Sequence, residues 1–405
     1  MKEVKIEKYY IYKPSGEDWL GEIPEHWKPM KLKHIFIEKK NTTNPDLNCG
    51  SISFGKVVTK DDEKVPVSTK ASYQEVLKGN FLINPLNLNY DLISLRIALS
   101  EIDVVVSSGY IVLNNQIEIN KSYYKWLLHR YDVAYMKLLG SGVRQTINFN
   151  HIANSILAYP PIEEQTTIAN FLDRKTAQIE SAIEIKQKQI ELLKERRQIL
   201  IHRAVTRGLD PVVKLKDSRV EWIGEIPEHW KVKALKYIAN LQSGETISPD
   251  KFIDEDGYPV YGGNGFRGYT STFTNEGEYA LIGRQGALCG NVNYAQGKFY
   301  ASEHAIVVYP LHGENVYWLG ETIKQANFNR LSQSAAQPGI AVNVVKNVLF
   351  PYPPISEQNE ITALLHIQSD KINTSILLKE QEIEKLKEYK SVLINEAVTG
   401  KIKIV

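Results

Sequence analysis

Carboxylates near a lysine are the equipment of metal-dependent nucleases. The chain offers one loose instance, Pro45-Asp46 followed by Asp62-Glu63-Lys64. Acidic loop residues often neighbour a lysine, so a solvated turn accounts for it better. The turn Gly283-Arg284-Gln285-Gly286 has the glycines and the cation to cradle a phosphate, although a short glycine-rich turn alone is a weak signal. Nine histidines and two cysteines, Cys49 and Cys289, form no metal-ligand spacing. Two thiols also make no disulfide scaffold and no four-cysteine zinc site, and they suit a reducing compartment.

Other catalytic signatures are missing. There is no Gly-x4-Gly-Lys-Ser/Thr phosphate loop, no Gly-x-Ser-x-Gly elbow and no His-Glu-x-x-His zinc motif. Asn84-Pro85-Leu86-Asn87 faintly matches the Asn-Pro-Pro-Tyr type of motif of amino-methyltransferases. It lacks the second proline and the aromatic, and no glycine-rich cofactor loop accompanies it. The chain is expected not to be an enzyme.

The elements that would carry any site are arranged as a repeat. Trp19-Leu20-Gly21-Glu22-Ile23-Pro24-Glu25-His26-Trp27 returns as Trp222-Ile223-Gly224-Glu225-Ile226-Pro227-Glu228-His229-Trp230, with eight of nine positions identical at an offset of 203. Tyr159-Pro160-Pro161-Ile162-Glu163-Glu164-Gln165 returns as Tyr352-Pro353-Pro354-Ile355-Ser356-Glu357-Gln358 at an offset of 193, and Ala204-Val205-Thr206 returns as Ala397-Val398-Thr399 at the same offset. The intervening segments, 28–158 and 231–351, are largely unlike and differ by ten residues in length. Like frames around unlike inserts describe one architecture reading two different things. The equivalent positions of His26 and His229 favour a structural role for both. Trp19, Trp27, Trp222 and Trp230 read as packing anchors for the same reason.

After each Pro-Pro the pattern is helical. Ile168, Phe171, Leu172, Ile179, Ile183, Ile190, Leu193, Leu200 and Ala204 form one stripe, and Ile361, Leu364, Leu365, Ile372, Ile376, Ile383, Leu386, Leu393 and Ala397 form the other, near the seven-residue spacing of a coiled coil. Neither proline nor glycine interrupts 162–207, and Gly208 and Pro211 end it. Helices this long with one apolar stripe need a partner. The economical partner is the other copy, packed antiparallel. Folding of each helix onto its own globular unit is the alternative.

The inserts read as mixed α/β. Strands are expected at 103–106, 110–113, 279–282 and 305–308, and helices from Tyr123 to Leu139 and from Val316 to Leu331. The expected fold class is α+β: two mixed α/β domains separated by two long helices in an antiparallel coiled coil, with an internal two-fold repeat. The expected divisions are 1–162, 163–208, 209–354 and 355–405.

Composition fits this reading. At 405 residues, 43% apolar and 24% charged, the chain has the balance of a soluble protein of two or three domains. No apolar run reaches a membrane span. The opening Met1-Lys2-Glu3-Val4-Lys5 lacks a signal core, so a cytoplasmic location is expected. The net charge of +2 is not that of a bare DNA clamp, and residues 219–354 are net −2.

The duplicated opening, the variable insert, the Pro-Pro-Ile-x-Glu-Gln segment and the long helix resemble the specificity subunit of type I restriction–modification systems over nearly the whole chain. Gly142-Val143-Arg144-Gln145, Ala336-Gln337-Pro338-Gly339-Ile340, Tyr261-Gly262-Gly263-Asn264-Gly265 and Gly283-Arg284-Gln285-Gly286-Ala287 add to the likeness. The resemblance implies two target-recognition domains, each reading half of a split double-stranded DNA site, and a coiled coil that fixes the gap. It implies a subunit without catalysis that serves DNA methylation and phage defence. It recruits two methyltransferase subunits, which bind S-adenosylmethionine, and restriction subunits, which use ATP and Mg. No cofactor is expected on this chain itself. The acidic second domain implies that partners supply much of the backbone grip, so the isolated chain should bind DNA weakly. A coiled-coil scaffold that does not bind DNA is the competing reading, and a nuclease or methyltransferase in its own right is a third.

For base reading, arginine suits guanine while asparagine and glutamine suit adenine. The candidates in the first insert are Lys56, Asn89, Tyr90, Arg96, Tyr110, Arg144 and Gln145. Those in the second are Asn264, Arg267, Tyr269, Arg284, Gln285, His304, Gln333 and Gln337. Each lies in a polar or glycine-rich stretch beside a strand or helix, where a surface or turn-stabilising role also fits.

Overall fold

The computed structural model describes residues 5–87, 95–136, 145–286, 288–331 and 339–405. It divides into two compact units, Met1–Lys186 with Gln381–Val405, and Gln187–Glu380. The longer helices are α1 (Lys121–Ala134), α2 (Ile162–Arg207), α3 (Val316–Gln325) and α4 (Ile355–Val398).

The sequence dictates where α2 and α4 begin and end. Each follows a Pro-Pro pair, which cannot continue a helix backwards, and each is followed by a left-handed glycine, Gly208 at φ +71° and Gly400 at φ +73°. The apolar stripe of α2 goes inward. Ile168, Phe171, Leu172 and Ile179 are buried in the core of the first unit, and Ile201 and Ala204 in that of the second. Leu364, which the stripe count puts inside, is 37% exposed.

Within the first unit the end of α4 runs antiparallel to the start of α2. Glu180 pairs with Lys390 at 2.6 Å and Lys186 with Glu382 at 2.5 Å. Within the second unit Arg197 donates to Asn373 Oδ1 at 2.7 Å, while Ile201, Ala204 and Val205 share a core with Ile361 and Leu365. These exposed polar pairs are worth at most about 1 kcal/mol each, so apolar burial holds the helices together. The expected fold class stands: α+β, two mixed units, paired antiparallel helices and an internal repeat. The compact units cut through both helices, after Lys186 and after Glu380, whereas the expected divisions fall at the helix ends. Each half-helix buries its stripe in the core of its own unit.

In the first unit an antiparallel sheet of β1 (Phe36–Glu38), β2 (Phe81–Ile83), β3 (Ile97–Leu99) and β4 (Ile111–Asn115) has the order β3-β2-β4-β1. Tyr124, Leu127, Leu128 and Tyr131 of α1 share its core with Phe36, Phe81, Ile83 and Leu113. The second unit has a larger sheet of β5 (Ala239–Ser243), β6 (Phe252–Ile253), β7 (Tyr258–Gly262), β8 (Gly265–Thr270), β9 (Asn275–Gly283), β10 (Val292–Ala301) and β11 (Ala305–Pro310). Its order is β5-β11-β9-β10-β7-β8-β6, with β7 and β10 parallel and the other neighbours antiparallel.

Two helix extents differ from expectation. The helix expected from Val316 to Leu331 stops at Gln325, because Asn327 takes φ +47° and only a short 3-10 turn, Phe328–Leu331, follows. The helix expected from Tyr123 starts two residues earlier, at Lys121, where Asn120 caps it by accepting from Tyr123 N at 3.0 Å. It ends at Ala134, and residues 137–139 of the expected span lie outside the described residues.

Candidate nucleic-acid interface

The repeated segments meet in a joint that recurs in both units. In the first, His26 Nε2 lies 2.6 Å from Glu164 Oε1, and Trp27 Nε1 donates to Glu164 Oε2 at 3.0 Å. In the second, His229 Nε2 lies 2.7 Å from Glu357 Oε1, and Trp230 Nε1 donates to Glu357 Oε2 at 2.9 Å. Both tryptophans are fully buried. Their indole N–H needs an acceptor there, and the glutamate in the first turn of the long helix supplies it. The first unit adds Tyr9, whose hydroxyl donates to Glu164 Oε2 at 2.7 Å. Burial pushes the Glu164 carboxyl up, but the donors Trp27, Tyr9 and His26 outweigh it and hold the group below the usual glutamate range. Burial and the bond to Glu164 push the Tyr9 phenol up.

The next residue on each helix turns the other way. Gln165 Oε1 accepts from the backbone N–H of Asn120 at 2.8 Å, and its Nε2 donates to the Pro160 carbonyl at 2.9 Å. Gln358 does the same with Asn315 at 3.0 Å and Pro353 at 3.1 Å. Asn120 and Asn315 cap α1 and α3. The Glu-Gln pair thus fastens the opening segment and the insert's helix to one turn of the long helix. The histidines and tryptophans of the frame are structural, as their repeated positions indicate. Asn120 and Asn315 went unnoticed in the sequence. The available signal was an Asn before each helix, 40 and 38 residues ahead of the first proline of Pro-Pro.

The residues that could read a base lie in the inserts. In the second unit the sheet brings four candidates together. Asn264 is exposed at the tip of the β7–β8 hairpin, where Gly262 pairs with Gly265. The turn after β9 lies against this tip: a Cβ on Gly263 would sit 3.1 Å from the backbone oxygens of Gln285 and His304. Arg284 N donates to the His304 carbonyl at 2.8 Å, Ile340 N donates to the Arg284 carbonyl at 2.9 Å, and Gln285 bridges to Gly339. Asn264, Arg284, Gln285 and His304 therefore form one cluster where the β7–β8 tip, the turn after β9 and the turn before β11 meet. Arg267 and Tyr269 project from neighbouring β8, the guanidinium of Arg267 5.8 Å from the Phe252 ring and the ring of Tyr269 5.0 Å from that of Phe266. Gln333 and Gln337 lie outside the described residues.

The first unit brings fewer candidates together. Lys56 is exposed on the hairpin of Gly50–Ser53 and Lys56–Thr59. Ile52 and Val57 of that hairpin share an apolar cluster with Tyr110, whose phenol is raised by burial. Arg96 does not belong with them. It is 5% exposed, its backbone N–H donates to Asp132 Oδ2 at 2.5 Å, and its Nε lies 3.2 Å from Asp132 Oδ1. We therefore correct its assignment: this guanidinium anchors β3 to α1 and presents no reading surface. Asn89, Tyr90 and Arg144 lie outside the described residues, and Gln145 is placed by its backbone pairing with Asn87.

The loose catalytic matches take structural roles. Asp62 accepts from Cys49 N at 2.7 Å and from Lys70 Nζ at 2.6 Å, and Lys70 holds its carboxyl below the usual range. Asn84 Oδ1 accepts from Leu86 N, closing a turn. Among the described residues no group of three or more His, Cys, Asp or Glu is placed to hold a metal. No helix among them is long and apolar enough to cross a membrane.

A duplicated frame is thus locked by the same joint around two unlike inserts that each expose polar side chains. The family model of the type I restriction modification DNA specificity domain matches the chain twice, over residues 24–194 and 227–388. The chain belongs to this family. The EcoprrI specificity subunit of Escherichia coli is 38% identical over 169 residues, a match spanning 41% of this chain and 39% of that protein. The putative MjaX specificity subunit of Methanocaldococcus jannaschii is 25% identical over 422 aligned positions, covering 95% of this chain and 96% of that protein. Among solved structures, a chain from work on complex assembly and conformational transition of the type I R-M system matches with a TM-score of 0.73 at 16% identity, over 93% of this chain and 98% of that one. The HsdS subunit from Thermoanaerobacter tengcongensis matches with a TM-score of 0.55 at 17% identity, over 94% and 98%. These two likenesses show the fold.

Proposed function

We propose that this chain is the DNA-reading subunit of a type I restriction–modification assembly and that each insert reads one half of a split site. One observation carries this reading: the same Trp–His–Glu joint closes around two inserts built on different sheets. A scaffold that only assembles proteins has no use for like joints around unlike inserts. Family membership supports a role in DNA specificity.

On this reading the two long helices set the gap between half-sites and also dock methyltransferase subunits. Ile185, Leu192 and Ile199 support the docking. They are spaced seven apart on α2 and are 56%, 54% and 59% exposed. A second apolar stripe at heptad spacing is what a further helix packs against. The methyltransferase would carry S-adenosylmethionine and the restriction subunit ATP and Mg. This chain performs no reaction in the scheme.

The test is a methylation map. The chain is expressed with the methyltransferase subunit encoded beside it, in a host free of adenine methylation, and the modified bases are sequenced. Two short half-sites around a fixed gap are expected. A soluble complex that neither methylates nor binds DNA would leave the scaffold reading in its place.

A further inference from the structure

The cluster on the turns of the second sheet contains a relay of three side chains. Glu303 Oε1 lies 3.1 Å from His304 Nε2, and His304 Nδ1 lies 2.9 Å from Gln285 Oε1. The far oxygen of Glu303 is buried without a hydrogen-bond partner, which leaves the contact with His304 as the polar tie of this carboxylate among the described residues. The backbone around the relay is pinned as well, through the Arg284–His304 hydrogen bond and the Gln285–Gly339 bridge. Gln285 itself is exposed.

Paired reading of adenine by glutamine needs both ends of the amide: the oxygen accepts from N6 and the nitrogen donates to N7. In this relay one end is turned to the His304 ring, with one of its two hydrogen-bonding positions filled there. The imidazole Nδ1 donates to the amide oxygen or accepts from the amide nitrogen, according to where the ring carries its proton. In either state one end of Gln285 faces the ring and the other faces outward.

We propose that Gln285 reads one base pair of the second half-site through a single hydrogen-bonding end, and that His304, paired with Glu303, is the positioning residue that turns the other end toward its ring and away from the base. This rests on the DNA-reading function proposed above. Glu303 enters the site through it, and His304 moves from a base-contacting role to one exerted through Gln285.

The consequence is a gain on mutation, which loss of structure cannot mimic. His304→Ala frees the whole amide, so the base pair facing Gln285 should acquire a preference for adenine. His304→Asn places an amide where Nδ1 stood. It keeps Gln285 engaged and should retain the original profile.

The experiment is competition binding by the complex with the methyltransferase subunit, against duplexes in which each base pair of both half-sites is varied in turn. At one pair of the second half-site, H304A should gain about tenfold or more in preference for adenine, within the range of a good paired contact. H304N should match the unsubstituted chain, and the double variant H304A/Q285A should lose the gain. An unchanged profile in H304A, or uniform weakening on all duplexes, would overturn the relay. Absence of any base preference in the unsubstituted complex would instead overturn the DNA-reading function on which the proposal rests.

Discussion

The hydroxyl of Tyr9 donates to Glu164 Oε2 across 2.7 Å, and among the described residues Glu357 of the second frame has no equivalent of this bond. The position one frame-length on from Tyr9 is Val212, an aliphatic residue 85% exposed. The first joint thus has three side-chain donors on its glutamate, the second a histidine and a tryptophan. Tyr9→Phe should destabilise the first unit by about 1 kcal/mol, the usual net worth of one hydrogen bond, as read by urea unfolding. Stability equal to that of the unsubstituted chain would show that the phenol contributes nothing.

The depressed Glu164 carboxyl makes that stability dependent on pH. Its folded value lies below its unfolded one, so the unfolded chain binds more protons in the window between them. The contribution is fully present above the ordinary glutamate value of about 4.3 and is lost as pH falls through the folded value. Glu164→Gln should lower stability at neutral pH and flatten the acid limb of the unfolding profile. An acid limb of unchanged steepness would assign it to other carboxylates.

Gln165 and Gln358 are fully buried, and each satisfies one backbone N–H and one carbonyl. Truncation to alanine leaves both groups without the partner that served them, at a cost of about 1–3 kcal/mol for each buried group left unsatisfied. Gln165→Ala and Gln358→Ala should therefore lower the melting temperature without altering which bases are selected. A changed half-site would mean that the joint shapes the reading surface directly.

The pair Arg96–Asp132 makes the opposite kind of test. Asp132→Ala strands a buried guanidinium and should cost about 3–5 kcal/mol, while replacing both residues by apolar ones of similar volume should recover much of the loss. DNA selection should survive in the double variant. A double variant that folds but misreads its site would return Arg96 to the reading residues.

Matched lengthening of both helices tests the spacer. The pair Lys186–Glu382 fixes the local register, so seven residues inserted after Lys188 must be answered by seven near Glu382. The added length is about 10 Å at 1.5 Å per residue, or about three base pairs where ten to ten and a half span 34 Å. The methylated motif should keep its half-sites and widen its gap by that amount. An unaltered gap would take the spacing role away from the helices.

How much of this was legible in the sequence depends on the distance over which each signal acts. The long helices were readable because their stripe, the prolines before them and the glycines after them are local. Leu364 departs from the stripe because spacing near seven allows more than one inward face, and packing makes the choice. The repeated His26, Trp27 and Glu164 could be recognised as marks. Their meeting could not, since 137 residues separate Trp27 from Glu164. Arg96 reads as a base contact because arginine suits guanine, and its partner, Asp132, stands 36 positions on. Gln285, Asn264 and His304 come from separate turns, and strand pairing gathers them. A sequence pattern has no term for that.

Asn120 and Asn315 carry a consequence for how such a protein changes its target. The two inserts have different sheets and different lengths, yet each presents the backbone N–H of a helix-capping asparagine to the glutamine of the frame. A foreign insert therefore has little to match. It must start after the His-Trp pair, supply one Asn-capped helix and end at Pro-Pro. Between those points its sheet and loops are free to differ. On the function proposed above, a lineage that exchanges such segments would acquire a new half-site in one step, without rebuilding the joint that holds it.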